Sequence, residues 1–180
     1  RMQEPEDLFK EIQNFFEPKG ILKGKNVLVT AGPTQENIDP VRYIGNRSTG
    51  KMGIALARAY SDKGANVTLV LGPTSEAVTE ESIDLIRVST AEQMFVAAKL
   101  KYPNSDLTVF AAAVSDYRPK QVFDQKLTKS AEELELVLVK NRDIAKELGH
   151  EKSSNQINIG FALETNNELE NAKPKIVSKN

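Results

Sequence analysis

One stretch limits what this chain can fold into more than any other. Residues Gly32 to Gly53 read GPTQENIDPVRYIGNRSTGKMG. A short apolar run, Asn26-Val27-Leu28-Val29-Thr30, comes before it, and an alanine-rich helical pattern, Met52 to Tyr60, comes after. The order is strand, long loop, then a helix opening at a glycine. In an open α/β sheet such a junction lies at the carboxyl end of a strand, where ligands sit. A helix that opens there aims free backbone N–H groups and the positive end of its dipole into the crevice. Phosphate is the ligand that such an arrangement favours.

Two phosphate motifs nearly fit the loop. Gly45 to Lys51 satisfies GxxxxGK, the first part of a P-loop, but the Ser or Thr that should follow to ligate Mg²⁺ is Met52, a poor ligand for a hard cation. A P-loop also follows its strand closely, and here more than a dozen loop residues intervene. The dinucleotide fingerprint GxGxxG needs its glycines tight against the first strand, where only Gly32 stands, followed by Pro33. Gly50 and Gly53 give GxxG at the helix entrance, which allows a close approach of backbone to an anion or a neighbouring strand. A plain surface loop with a glycine cap does not explain why Asn, Arg, Ser, Thr and Lys crowd between Gly45 and Lys51.

Composition narrows the chemistry. With 180 residues, 39% of them hydrophobic, there is material for one domain with a real core. A net charge of −1 gives no general attraction to nucleic acid or anionic membrane. There is no Cys, which removes disulfides, thiol nucleophiles and thiolate metal sites together, and a single histidine, His150, excludes a His-rich metal centre. No apolar run has the length of a membrane span and no signal peptide is visible, so a cytoplasmic protein is the expectation.

Along the chain, Pro5 to Phe16 places Leu8, Phe9, Ile12, Phe15 and Phe16 at helical spacing. Residues 1–24 are therefore expected to form a linker and an amino-terminal helix, and residues 25–180 the main domain. Strands are expected at Asn26–Thr30, Asn66–Leu71, Ile83–Val88, Asp106–Phe110 and within Gln156–Ala162, with a weaker one at Leu134–Val139. A helix from about Gly50 to Lys63 carries Met52, Ile54, Ala55, Ala59 and Tyr60. A second starts at a capping box, Ser89 to Glu92, and buries Met94, Phe95 and Ala98, with Leu100 at its end. Asn141 to Ile144 opens a short third helix ending at Gly149, and Asn167 to Lys173 begins a last one. Lys120 to Lys129 is polar, basic and without period, which reads as a mobile flap. Strands alternating with helices mean an α/β fold: a Rossmann-like open parallel sheet, helices on both faces, and a flap over the nucleotide site.

The loop GPTxExIDPVRxIxNxSxGKMG, together with AAAVSDYRP at Ala111 to Pro119, resembles phosphopantothenoylcysteine synthetase, the phosphopantothenate–cysteine ligase of coenzyme A synthesis. The likeness runs from about Lys25 to Asn180. It implies attack of 4'-phosphopantothenate on the α-phosphate of a nucleoside triphosphate, CTP in bacterial members. Pyrophosphate leaves, and the L-cysteine amine then displaces the nucleotide from the acyl-cytidylate. It also implies Mg²⁺, a homodimer, and a fused or associated decarboxylase domain that carries FMN, which this chain does not. Arg1 to Pro5 resembles the boundary after that decarboxylase, and both ends are expected to be cut from a longer protein.

The same resemblance implies the site residues. Asn46 matches the loop asparagine that would hold the acyl-nucleotide; residue type alone favours a turn asparagine in left-handed geometry. Ser48 and Gly50 match the triphosphate cradle, and Phe110, Ala111 and Ala112 the nucleotide-contacting strand end. Asp116 matches a nucleotide-site aspartate serving ribose or metal, against a reading as a loop cap. Lys126 matches the catalytic flap lysine, against an ordinary solvated lysine. Arg142, Asp143, Ile144 and Ala145 match a segment lining the nucleotide site, with Arg142 where some relatives have Pro. Phe161 matches a residue near the base, with a buried strand aromatic an equally natural reading, and Lys175 and Lys179 match phosphate-binding lysines, the first preceded by an unexpected Pro174.

Two other readings compete. An NAD(P)-dependent oxidoreductase would share the fold but lacks GxGxxG, and Leu71-Gly72-Pro73 stands where an acidic ribose-binding residue belongs. A non-enzymatic nucleotide sensor would keep the phosphate loop and have no need of the flap lysine.

Overall fold

The computed structural model describes residues 6–7, 20–128 and 134–161. Of the expected amino-terminal helix only Glu6 and Asp7 are described, and they are helical. The expected helix at 167–173, Lys175 and Lys179 lie outside the described residues.

Five parallel strands form the main sheet. β1 (Asn26–Ala31) lies at its centre, with residues 27–31 all buried. β4 (Asn66–Leu71) pairs with it on one side and β6 (Leu107–Phe110) on the other. β5 (Ile83–Arg87) and β9 (Ile157–Gly160) complete the order β5-β4-β1-β6-β9. The chain thus grows outward from β1 in one direction, returns past it, and grows in the other. Between β1 and β6 the direction reverses, and that switch point is where open α/β sheets take their ligands.

Helices cover both faces. α1 (Lys51–Asp62) lays Ile54 and Ala57 against Val27, Val29 and Ala31. α2 (Ala91–Lys101) and α3 (Ile144–His150) cover the opposite face, where Met94, Phe95, Ala98, Ile144 and Leu148 meet Leu28 and Val70. Alternate residues of β1 feed the two cores, so β1 is apolar on both faces. Truncating one of these fully buried leucines to alanine costs about 2–5 kcal/mol.

The helical faces differ from expectation in detail. α1 buries Gly53, Ile54 and Ala57 and exposes Met52, Ala55 and Ala59. Leu100 is 74% exposed. The α2 capping box is Thr90 with Gln93, one residue beyond the expected Ser89 with Glu92. Both pairs have the required spacing. Thr90 Oγ1 takes the Gln93 N–H, and Gln93 Oε1 reaches back to the N–H groups of both Ser89 and Thr90.

Two small antiparallel hairpins were absent from the expected fold. β2 (Gln35–Asn37) pairs with β3 (Tyr43–Gly45) inside the long loop. β7 (Tyr117–Pro119) pairs with β8 (Leu138–Lys140), so the expected strand at 134–139 begins at Leu138. Both hairpins sit at the carboxyl ends of the sheet strands, above the switch point, with β2 against β7.

Candidate functional site

Three strands stop together, at Ala31, Leu71 and Phe110. Just beyond, Pro33 and Ala113 make one further parallel bridge. Ala113 N–H donates to the Gly32 carbonyl at 2.9 Å. Thr34, wholly buried, takes the Ser115 N–H on its hydroxyl at 3.0 Å. The two loops that flank the switch point therefore leave the sheet laced to one another, and the floor between them is mostly backbone.

α1 opens onto this floor. Its N-cap, Gly50, has φ 76° and ψ −6°, a left-handed conformation that glycine adopts without steric cost. At Gly53 any side chain would place a Cβ 2.4 Å from Ala31 Cβ, so glycine is what lets the helix lie so close to the end of β1. Ser48 Oγ accepts from Gly50 N at 3.2 Å, and Thr49 Oγ1 takes Lys51 N at a long 3.5 Å. Thr74 Oγ1, from the loop after β4, donates to the Thr49 carbonyl at 2.6 Å and braces the cradle from outside. No side chain caps α1, and the N–H groups of Met52 and Gly53 have no partner among the described residues. Unsatisfied donors at a helix entrance form an anion site.

Asn46 stands on the rim. Its Nδ2 donates to the Val114 carbonyl at 2.9 Å, which fixes the amide between the β1 and β6 loops. Phe110, Ala111 and Ala112 are half-buried at the end of β6, and Ala111 N–H donates to the Thr30 carbonyl at 3.0 Å. Asp116 is exposed just beyond, with its carbonyl taking the Asn141 N–H. Asn46, Ser48, Gly50, Phe110, Ala111, Ala112 and Asp116 thus gather around one crevice. Phe161 is 54% exposed and follows Gly160, which pairs with Phe110, so it lies on the β9 rim and is not the buried aromatic that its strand suggested.

The segment at 142–145 employs its side chains structurally. Arg142 pairs with Glu92 at 3.1 Å and Glu147 at 3.2 Å and lies 4.9 Å from the Phe95 ring centre. Asp143 caps α3 through Lys146 N at 3.0 Å, and Ile144 is in the core. A ligand contact from these residues would have to come from backbone or from Ala145.

Residues 120–128 contain no helix or strand beyond the edge of β7, in line with the missing period. They are tethered, however, where a loose flap was expected. Phe123 N–H donates to the Ile38 carbonyl at 2.9 Å, Leu127 N–H donates to Asp39 Oδ2 at 3.1 Å, and Arg42 Nη2 donates to the Leu127 carbonyl at 2.7 Å. Lys126 is exposed between these anchors. Burial of Asp39 would push its carboxyl up. The N–H groups of Val41, Leu127 and Arg42 and the Arg42 side chain outweigh that, and the pKa falls to about 2.

Sequence reasoning passed over Thr34, Asp39, Arg42 and Asn141. Asn141 ties the β7–β8 hairpin down, donating from Nδ2 to the Ser115 carbonyl at 2.8 Å and taking Arg118 Nη1 on Oδ1 at 3.1 Å. Asp39-Pro40 carried a usable signal, since an aspartate before proline starts a turn in which its side chain takes the following N–H groups. Among the described residues no three or more His, Cys, Asp or Glu group together to hold a metal.

A doubly wound α/β domain whose first helix opens, uncapped, at the switch point is the class that this fold and site define. The crevice has amide and hydroxyl groups on its rim and backbone donors on its floor. The chain belongs to the family described as the DNA/pantothenate metabolism flavoprotein C-terminal domain, which matches residues 22–180. It is 44% identical over 180 residues to the Coenzyme A biosynthesis bifunctional protein CoaBC of Haemophilus influenzae, covering all of this chain and 45% of that protein. The chain thus spans about half the length of the curated relatives it matches. The crystal structure of the C-terminal domain of a CoaBC protein superposes with a TM-score of 0.77 at 42% identity, over 88% of this chain and 74% of that one. A Cab2 variant in complex with phosphopantothenate-cysteine shares the fold at 18% identity, with a TM-score of 0.68, over 96% of this chain and 75% of that one.

Proposed function

We propose that this domain condenses 4'-phosphopantothenate with L-cysteine, using CTP. The observation that carries the reading is the meeting of two elements at the switch point: α1 opens beside Ala31 and Ala111 with the Met52 and Gly53 N–H groups unpartnered among the described residues, and the Asn46 amide is tied to the Val114 carbonyl of the β6 loop. The substrates follow from the resemblance of the loop motifs, and the relatives support them: one is the C-terminal domain of a coenzyme A biosynthesis bifunctional protein, and another is a Cab2 variant holding phosphopantothenate-cysteine. In the first step the substrate carboxylate attacks the α-phosphate of CTP, an acyl-cytidylate forms and pyrophosphate leaves. In the second the cysteine amine attacks the acyl carbon, the C–O bond to CMP breaks and the amine loses a proton.

Both steps build negative charge on crowded oxygens, so fixed donors and cations matter more than a protein nucleophile. The α1 entrance with Ser48 would bind the triphosphate, Asn46 would hold the acyl-nucleotide, and Lys126 would bring a cation to the developing charge. Phe110, Ala111, Ala112 and Phe161 would flank the nucleoside, and Lys175 and Lys179 would add phosphate contacts. Mg²⁺ would screen the phosphates, with Asp116 serving it or the ribose. In the whole protein we infer a fused decarboxylase carrying FMN, a homodimer and a cytoplasmic location. Exposed Val41, Tyr43, Tyr117, Val137 and Leu138 on the two hairpins are the apolar surface that favours the dimer.

Pyrophosphate release that requires both CTP and 4'-phosphopantothenate, followed by cysteine-dependent amide formation read by mass spectrometry, is the expected result. Absence of pyrophosphate release with CTP and with ATP removes the ligase reading.

A further inference from the structure

We propose that Asp39 and Arg42 are positioning residues that clamp the segment bearing Lys126 to the β2–β3 hairpin, and so set where that lysine stands. The role given to Lys126 rests on the ligase reading, whereas the clamp rests on geometry alone.

Leu127, the residue after Lys126, is held at both of its backbone groups. Its N–H donates to Asp39 Oδ2 at 3.1 Å, and its carbonyl accepts from Arg42 Nη2 at 2.7 Å. The two clamp residues are themselves joined, with Arg42 Nε 2.9 Å and Nη2 2.7 Å from Asp39 Oδ2. Asp39 Oδ1 takes the N–H groups of Val41 and Arg42, both at 2.8 Å, so the carboxylate also closes the turn between β2 and β3. Its side chain is 0% exposed, although it lies more than 80 residues from Leu127 in sequence. A buried carboxylate is tolerated only when its acceptor sites are filled by good donors. Here four N–H groups fill them, those of Val41, Leu127 and Arg42 and the Arg42 Nε, with Arg42 Nη2 paired alongside. A third anchor, Phe123 N–H to the Ile38 carbonyl at 2.9 Å, fixes the same segment four residues earlier.

The hairpin that holds this segment also leads directly into Asn46. β3 ends at Gly45, whose Cα hydrogen faces the Thr34 carbonyl so closely that a Cβ would lie 2.7 Å from that oxygen. Asn46 follows, tied to the Val114 carbonyl. One rigid turn therefore sets two groups in relation to each other: the Asn46 amide at its end and the Lys126 ammonium through Leu127. A reacting group displaced by about 1 Å loses about 10²-fold in rate. The clamp should thus act on turnover and leave nucleotide affinity, which rests on the α1 entrance, near its parent value.

Asp39→Asn and Arg42→Lys in the full chain test this. Asparagine halves the acceptor capacity of the clamp. Lysine keeps the charge and leaves Asp39 its turn bonds but lacks the planar fork that places separate nitrogens on Asp39 and the Leu127 carbonyl, which covers the case in which the asparagine variant fails to fold. Amide hydrogen exchange at Leu127 and Phe123 should accelerate in either variant, with β1, β4 and β6 still protected. Unchanged exchange at Leu127 overturns the clamp whether or not the chain is a ligase. For turnover, kcat for pyrophosphate release should fall by about 10–100-fold with KM for CTP near the parent value. Combining either variant with Lys126→Ala should slow the enzyme no further than Lys126→Ala alone. Losses that multiply mean that the pair acts apart from Lys126 and overturn the positioning role. If the parent chain releases no pyrophosphate at all, the ligase reading falls and exchange alone decides the clamp.

Discussion

Asn46 holds its amide by a single bond, Nδ2 to the Val114 carbonyl. Asn46→Asp sets an acceptor against that acceptor and a negative charge beside the phosphate site. The variant should still release some pyrophosphate and accumulate acyl-cytidylate while making little amide; near-normal ligation would remove the assignment. Lys126→Ala should lower turnover by about 10²–10³-fold, as for a lost electrostatic donor. Its fold should hold, since Lys126 is exposed. Lys129→Ala serves as the control: an equal defect there makes the segment a general basic patch. Asp39 gives a pH dependence. Its folded pKa of about 2 lies below the ordinary 3.8, so its stabilisation is complete above pH 3.8 and disappears as pH falls towards 2. Urea midpoints should therefore favour the parent over Asp39→Asn at neutral pH, and that advantage should shrink from about pH 4 downward. Asn46, Ser48 and Gly50 were legible because they stand in one contiguous motif. The clamp was not, because Leu127 meets Asp39 and Arg42 only through the fold, and neither periodicity nor spacing links segments more than 80 residues apart.

At the scale of elements, the α1 entrance depends on close approach. Gly53→Ala forces its Cβ onto Ala31 Cβ, 2.4 Å away, and must lift the helix from the end of β1. We expect a loss of about 1–3 kcal/mol in urea unfolding, the range for an overpacked contact. Weaker CTP binding should accompany it, because the phosphate donors move with the helix. An unchanged midpoint would mean that the strand end yields freely. The same geometry explains which elements the sequence showed. β1, β4 and β6 are mostly apolar runs because parallel strands at the middle of a sheet are covered on two faces, and they fell within a residue of expectation, as did the edge strand β5. The hairpins are three-residue strands, Gln35–Asn37 with Tyr43–Gly45 and Tyr117–Pro119 with Leu138–Lys140. Three residues are too few for a period of two to register, and their pairing is set by tertiary bonds such as Glu36 Oε1 to the Ala91 N–H.

At the scale of the molecule, a ligand that binds only the native state raises its melting temperature. CTP with Mg²⁺ should do so and NADH should not; a rise with NADH and none with CTP would favour the oxidoreductase reading. The β2–β3 hairpin carries a further consequence. It reaches the interior through Glu36, Ile38 and Asp39, while the two main cores are built from the sheet and its helices. Exposed positions of the hairpin that lie outside the apolar dimer surface, such as Pro40, can therefore vary at little cost to the sheet. The same hairpin leads into Asn46 and holds Leu127, the neighbour of Lys126. For directed evolution this makes the hairpin a tuning handle. A library confined to its exposed positions would search new acyl and amine pairings while the five-stranded body supplies an unchanged reserve of foldedness.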